Sequence, residues 1–281
     1  MGKTILLTGA TGFVGKQILR SLLNAGHSVV ALVRPASMGV LDGQQPKLRL
    51  LEVEDVFALP VDWWAEMFQG CDAAIHAAWY VESGRYLDSP RNFQCVTGTL
   101  AMAEGAARAE LSHFVGLGTC VEYHLPSEHL TVDSPLGPKT LYAAAKLSTY
   151  HMLDRYFAGS GTNFSWCRLF YLHGEGEHSS RLVPYLRQKL SLGETAKLSK
   201  GTQLRDFMDV ADAGRMIAGV IDSGQSGPIN ICSGTPVTIR ALAEAIADEY
   251  GRRDLLEFGS AEIHPSDPLA VVGVCNALSR G

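Results

Sequence analysis

Thr8-Gly9-Ala10-Thr11-Gly12-Phe13-Val14-Gly15 closes an apolar run, Thr4–Thr8, and opens a helical pattern, Val14–Ala25. A strand, a turn carrying three glycines and a helix, in that order, build a cradle for phosphate. Gly9 permits the tight turn. Gly12 lets the backbone approach a pyrophosphate, and Gly15 lets the helix pack closely on the strand. The helix N-terminus then offers free N–H groups and the positive end of its dipole. The stretch predicts a dinucleotide site built from Gly9, Thr11, Gly12, Phe13, Val14 and Gly15.

The pattern around it agrees. Ser28–Val33, Leu48–Val53, Ala73–His76, His113–Leu117 and Asn163–Leu169 read as strands. Trp63–Phe68, Arg91–Arg108 and Tyr142–Phe157 read as helices between them. Such alternation implies right-handed crossovers and a parallel sheet. The continuous apolar strands imply a sheet covered on both faces. The expected fold is α/β, a Rossmann-type doubly wound parallel sheet with a small C-terminal substrate-binding lobe. Residues 1–170 are expected to bind NADP. Residues 171–281 are expected to form mainly the lobe, with some segments returning to the sheet. Glycine and short polar loops break the second part, and Val210–Ile221 and Ile239–Tyr250 stand out as helices.

The 281 residues are 46% hydrophobic and 19% charged, which is the balance of a globular protein. A net charge of -5 counts against nucleic acid as a partner. A strand beginning within four residues of Met1 predicts no signal peptide, and no apolar stretch reaches the roughly 18 residues of a membrane span. The six cysteines are scattered without a Cys-x-x-Cys pair, against both a zinc site and a disulfide scaffold. A cytoplasmic protein without metal, membrane or nucleic-acid partner is expected.

The second strand ends Ala31-Leu32-Val33-Arg34-Pro35. It lacks the acid that an NAD site places about 20 residues past the glycines for the ribose 2′-hydroxyl. Arg34 stands where a cation meets a 2′-phosphate, which favours NADP(H) over NAD(H). A solvated surface arginine is the plain alternative. Asp55, in Glu54-Asp55-Val56 after the third strand, suits the adenine amino group, or is a surface acid.

Tyr142-Ala-Ala-Ala-Lys146 sets a phenol and an ammonium on one helical face. A free tyrosine, with a pKa of about 10, is a sluggish acid or base at neutral pH. A nearby cation is expected to lower that value, so that tyrosine exchanges a proton with a carbonyl or alcohol oxygen during hydride transfer. A second Tyr-x-x-x-Lys occurs at Tyr185–Lys189, behind Pro184 in the lobe. Tyr142 is preferred because the hydroxyl-bearing loop Gly118-Thr119-Cys120-Val121-Glu122-Tyr123 leaves the preceding strand, where Thr119 polarises the same oxygen.

With these residues the chain resembles the extended short-chain dehydrogenases/reductases, in the NAD-dependent epimerase/dehydratase family acting on nucleotide sugars. The resemblance spans nearly the whole chain. It rests on Thr8–Gly15, His76-Ala77-Ala78, Gly118–Tyr123, Tyr142–Lys146, Arg205-Asp206-Phe207 and Asn230–Gly234. It implies a catalytic set of Thr119, Tyr142 and Lys146, with Tyr142 and Lys146 also touching the cofactor. Val56, Ala77 and Ala78 join the cofactor site. Arg205 is implied to grip the nucleotide diphosphate, since its planar fork matches phosphate oxygens. An ion pair with Asp206 or Asp209 is the alternative. Arg181 is a weaker candidate anchor. Trp79 and Tyr171 are expected to border the sugar, with ordinary packing as the other reading.

Departures from the family narrow the reaction. The 4,6-dehydratases carry Asp-Glu directly after the threonine, where this chain has Cys120-Val121. The 3,5-epimerase-reductases carry a cysteine two positions after the hydroxyl, where this chain has Val121. The nearest resemblance is to nucleotide-sugar 4-ketoreductases: NADPH-dependent reduction of a 4-keto-6-deoxy sugar nucleotide, with Tyr142 as general acid. A nucleotide-sugar 4-epimerase holding NAD tightly is the alternative, and a non-catalytic dinucleotide-binding regulatory subunit a further one. The helices Arg91–Arg108 and Tyr142–Phe157 resemble the family's dimer-forming pair, which implies a homodimer.

Overall fold

The computed structural model describes residues 2–262 and 267–277. The first part runs β1 (Thr4–Thr8), α1 (Phe13–Asn24), β2 (Ser28–Val33), β3 (Leu48–Glu52), α2 (Val61–Met67), β4 (Ala73–His76), α3 (Arg91–Arg108), β5 (His113–Thr119), β6 (Ser127–Leu130), α4 (Leu141–Phe157) and β7 (Asn163–Leu169). Then come β8 (Tyr171–His173), α5 (Leu182–Ser191), β9 (Ala196–Leu198), β10 (Leu204–Asp209), α6 (Val210–Ser223), β11 (Gly227–Ile231), β12 (Pro236–Thr238), α7 (Ile239–Tyr250), β13 (Leu256–Phe258) and β14 (Ala270–Gly273).

Seven strands form the main sheet in the order β11-β7-β5-β4-β1-β2-β3, every pair parallel. Successive residues of β1 divide between two cores. Ile5 and Leu7 join α1 and α6 on one face, and Leu6 joins α2, α3 and α4 on the other. That two-sided burial explains why the strands lack alternation. The chain reverses direction of winding between β1 and β4, which opens a crevice beyond the carboxyl ends of the strands. The fold is the Rossmann-type α/β arrangement that the glycine turn predicts.

A second sheet, β12-β10-β14-β6 with β8 beside β10, lies apart from the first. It draws β6 from the first part of the chain. β11, from the second part, adds the edge of the main sheet. The pair β9 and β13 packs with α5 and α7 around a separate apolar cluster. Elements of ten residues or more match the sequence pattern to within two residues, except α5. The three-residue strands β8, β9, β12 and β13 are too short to carry a readable period.

Candidate functional site

Beyond the carboxyl ends of β1 to β5 lies a cavity of about 720 Å³. The glycine turn forms one wall. Gly9 has φ +72°, and a Cβ there would stand 2.7 Å from the Ala78 nitrogen. Helix α1 begins at Gly12 with no side-chain cap, so its first N–H groups face outward. This is an anion-binding geometry. Thr11, Phe13, Val14 and Gly15 complete the wall. Arg34, exposed after β2, and Asp55 and Val56 after β3 line the far end. Asp55 Oδ1 also accepts the Phe57 N–H at 2.9 Å. Ala77, Ala78, Trp79, Tyr142 and Lys146 line the near end.

A smaller cavity of about 300 Å³ meets the first at Phe13, Gly118 and Tyr142. Thr119, Tyr86, Glu177 and Arg181 line it. Thr119 and Tyr142 share a side-chain hydrogen bond, and Tyr86 meets the Tyr142 ring edge-on at 4.9 Å. Thr140 caps α4 through the Ala143 N–H at 3.2 Å, which fixes the turn on which Tyr142 sits. Lys146, one turn on and 4% exposed, donates from Nζ to the Leu117 carbonyl at 2.6 Å. The Trp79 ring covers that ammonium at 3.7 Å from its centroid. Trp79 in turn donates to Asn92 Oδ1 at 2.9 Å.

Burial pulls the Lys146 amine down to about 7, with Glu122 and Cys95 opposing. Burial also pushes the Tyr142 phenol above its ordinary value, with Tyr86 and Glu122 adding to the rise. This corrects the expectation that the neighbouring cation lowers Tyr142. The ammonium is spent on Leu117 and the Trp79 face, and desolvation of the phenolate wins. Tyr142 is thus a phenol at neutral pH, protonated and ready to donate.

His76 ends β4 between Thr8 Oγ1 at 2.8 Å and Thr99 Oγ1 at 3.0 Å. Burial, with Lys146 assisting, lowers it to about 3. Its folded value lies below the unfolded value of about 6.5, so the unfolded chain takes up the proton first. Stability carried by neutral His76 is present above pH 6.5 and falls as pH drops toward 3. Melting temperatures measured across pH 7 to 4 should fall in the wild type, and less steeply in His76→Gln.

Three expected residues sit differently. Arg205 is 2% exposed and gives Nη2 to Asp267 Oδ1 at 2.6 Å and Nη1 to the Leu204 carbonyl at 2.8 Å. Its ion-pair partner is Asp267, not Asp206 or Asp209. Asp206 instead accepts from the Ser233 and Gly234 N–H groups, and Asp209 caps α6. Tyr171 packs under the Arg205 guanidinium, 5.1 Å from its ring centroid. Among the described residues neither Arg205 nor Tyr171 lines either cavity. Trp79 lines the larger cavity, against Lys146, rather than the smaller one. The second pair is separate: Tyr185 Oη accepts the Lys197 N–H at 3.0 Å, and Lys189 pairs with Glu194.

Two carboxylates escaped the sequence reading. Glu177, beside Arg181 in the smaller cavity, keeps its side chain 6% exposed, and its Oε2 has no partner. Glu122 is fully buried behind Thr119. Its place in the hydroxyl-bearing loop was the available signal. Among the described residues no cluster of ligands suits a metal ion, and no helix is long and apolar enough to cross a membrane.

The sequence model of the NAD dependent epimerase/dehydratase family matches residues 5–232. The dTDP-6-deoxy-L-talose 4-dehydrogenase (NAD(+)) of Aggregatibacter actinomycetemcomitans is 26% identical over 96% of this chain and 98% of that protein. Among solved structures, the UDP-N-acetylglucosamine 4-epimerase of Methanobrevibacter ruminantium M1 superposes with a TM-score of 0.87 at 20% identity. That match covers 98% of this chain and 90% of the other. The dTDP-glucose 4,6-dehydratase of Streptomyces venezuelae, solved with NAD bound, gives a TM-score of 0.80 at 24% identity, over 97% of this chain and 88% of the other.

Proposed function

Because the chain belongs to the NAD dependent epimerase/dehydratase family, we propose that it is a nucleotide-sugar oxidoreductase, reducing a 4-keto-6-deoxy sugar nucleotide to the C4 alcohol with NADPH. The observation that carries the reading is the chemistry of the Thr119 loop. Cys120 is buried, with its thiol pushed up to about 12, and Val121 is apolar. The loop's single acid, Glu122, points away from the cavity into Arg168 and Trp166. No group there is equipped to abstract the sugar proton that elimination or 3,5-epimerisation must remove. A protonated Tyr142 beside the Thr119 hydroxyl is equipped for reduction. The talose dehydrogenase relative carries out chemistry of the same kind at C4, by its name.

The residues present fit a dinucleotide: the uncapped α1 terminus for the pyrophosphate, the Gly9 turn with no room for a Cβ, and Arg34 at the far end. When bound, a reduced nicotinamide supplies the hydride. The protein's own part is to hold the sugar ketone against Tyr142 and Thr119. Thr119 donates a hydrogen bond to the ketone oxygen. Tyr142 passes its phenolic proton to that oxygen as charge develops on it. Lys146, lining the larger cavity beneath Trp79, would hold the ribose side of the cofactor. Arg181, which lines the smaller cavity, is the anchor for the substrate diphosphate. In this reading residues 1–170 hold the cofactor and residues 171–281 mainly the substrate, in a cytoplasmic homodimer joined through α3 and α4. Phe93, Met152 and Tyr156 are exposed on those helices, and Phe93→Glu with Met152→Glu should convert dimer to monomer in sedimentation.

The cofactor test is a substitution. Arg34→Asp should weaken NADPH binding about 10-fold or more, by replacing attraction to the 2′-phosphate with repulsion, and leave NADH nearly unchanged. Tighter binding of NADH than NADPH by the wild type would assign Arg34 to the surface. A second reading, a nucleotide-sugar 4-epimerase with tightly held NAD, is favoured by the epimerase relatives. Stoichiometric NAD retained through purification would support it, and cofactor-free protein that takes up NADPH reversibly would support the reductase.

A further inference from the structure

The carboxylate of Glu122 lies directly behind the reacting groups and touches neither cavity. Its Oε1 accepts the Thr119 backbone N–H at 2.8 Å, and its Oε2 accepts the Arg168 Nε at 2.8 Å. The Trp166 indole N–H bridges both oxygens at 3.1 Å. Thr119 answers by accepting the Val121 N–H, so that the two residues cap one short turn reciprocally. Glu122 is 0% exposed and Arg168 1%. Arg168 continues to Tyr123 Oη at 3.1 Å, and Tyr123 to Asn230 Oδ1 at 2.7 Å.

The fit leaves no slack. A Cβ on Gly118 would stand 2.6 Å from Glu122 Oε1 and collide with the Trp166 indole nitrogen. Glycine at 118 is therefore what lets a carboxylate reach the Thr119 N–H from behind. A buried ion pair of this kind adds little stability over apolar packing of the same volume, because desolvation consumes most of the attraction. This one stands three residues from a reacting hydroxyl and holds its backbone.

We propose that Glu122 is a positioning residue for the reaction: it locks the Thr119 turn so that the threonine hydroxyl meets Tyr142. The inference rests on the assignment of Thr119, Tyr142 and Lys146 as the reacting set. Lys146 faces Glu122 of the Thr119 turn, Cys95 of α3 and His76 of β4. Tyr142 faces Tyr86, Thr119, Cys120 and Glu122. Glu122 itself faces Arg168 of β7, Tyr123, Cys120 and Tyr150 of α4. Burial raises the Glu122 carboxyl itself, with Arg168 and the Thr119 N–H opposing.

The test uses the double variant Glu122→Gln/Arg168→Met, which keeps an acceptor for the Thr119 N–H and strands no buried cation. Its kcat should fall about 10-fold or more, the cost of a reacting group held loosely. KM for NADPH should stay near the wild-type value. Glu122→Asp shortens the reach by one methylene. It should lose kcat to a similar extent with KM for NADPH again unmoved, which assigns the loss to the position of the reacting hydroxyl. Wild-type kcat in either variant would overturn the proposal, as would a loss carried by KM for NADPH. Activity surviving in Tyr142→Phe would instead overturn the assignment of the reacting set, so the two failures are distinguishable.

Discussion

Tyr142→Phe should lose about 10²-fold or more in kcat while folding and cofactor binding stay at wild-type levels. The change deletes one hydroxyl, on a half-buried ring held by Tyr86 and by the capped first turn of α4. The packing survives because phenylalanine keeps the ring. In the proposed reduction, what is lost is the proton for the C4 alkoxide, and the hydrogen bond shared with Thr119. Unaltered melting together with lost turnover is the diagnostic pair. Tyr185→Phe is the matched control. Its hydroxyl holds the Lys197 N–H on the edge of the second lobe, so it should cost a fraction of the stability and leave kcat unchanged. Equal losses in the two variants would mean that the wrong helix has been set against the cofactor.

Lys146→Met is expected to abolish turnover to a comparable extent, and it carries a second readout. Methionine fills the space beneath Trp79 without a charge to desolvate. In the wild type the folded amine titrates near 7, far below the unfolded value of about 10.5. The unfolded chain therefore binds the extra proton between those values. Stability contributed through this group rises as pH climbs from 7 toward 10.5. Urea midpoints measured at pH 7 and pH 9.5 should diverge in the wild type and converge in Lys146→Met. An unchanged slope in the variant would place the Lys146 ammonium in solvent rather than between Leu117 and Trp79.

How much of this was legible beforehand follows the distance along the chain between interacting residues. The strand–turn–helix at Thr4–Asn24 declares itself because glycine at 9, 12 and 15 has a local cause. Tyr142 and Lys146 share a face because they are one helical turn apart. Every residue expected at the cofactor lines the larger cavity, since each lies in a loop after a strand of the main sheet or belongs to α1 or α4. The role of Glu122 was not legible, because Arg168 lies 46 residues away on β7 and pairs with it only once the sheet has formed. The same holds for Arg205, whose partner Asp267 is 62 residues on. The direction of the Tyr142 shift was misjudged for a related reason. Spacing reveals a neighbouring cation, whereas the burial that raises the phenol, with Tyr86 adding to it, forms only when the chain folds. Helix α5 escaped because Pro184 and two charged residues blur its apolar face.

The central claim is net hydride transfer to C4, and isotopic labelling reads it directly. The protein is incubated with a dTDP-4-keto-6-deoxy-hexose and NADPH deuterated at the transferring position, and the product sugar is analysed by NMR and mass spectrometry. One deuterium at C4, one new C4 hydroxyl and one NADPH consumed per product is the predicted result. Unlabelled 4-keto substrate recovered with NADPH unconsumed, while a nucleotide sugar already carrying a C4 hydroxyl is inverted at C4 by the same protein, would contradict it.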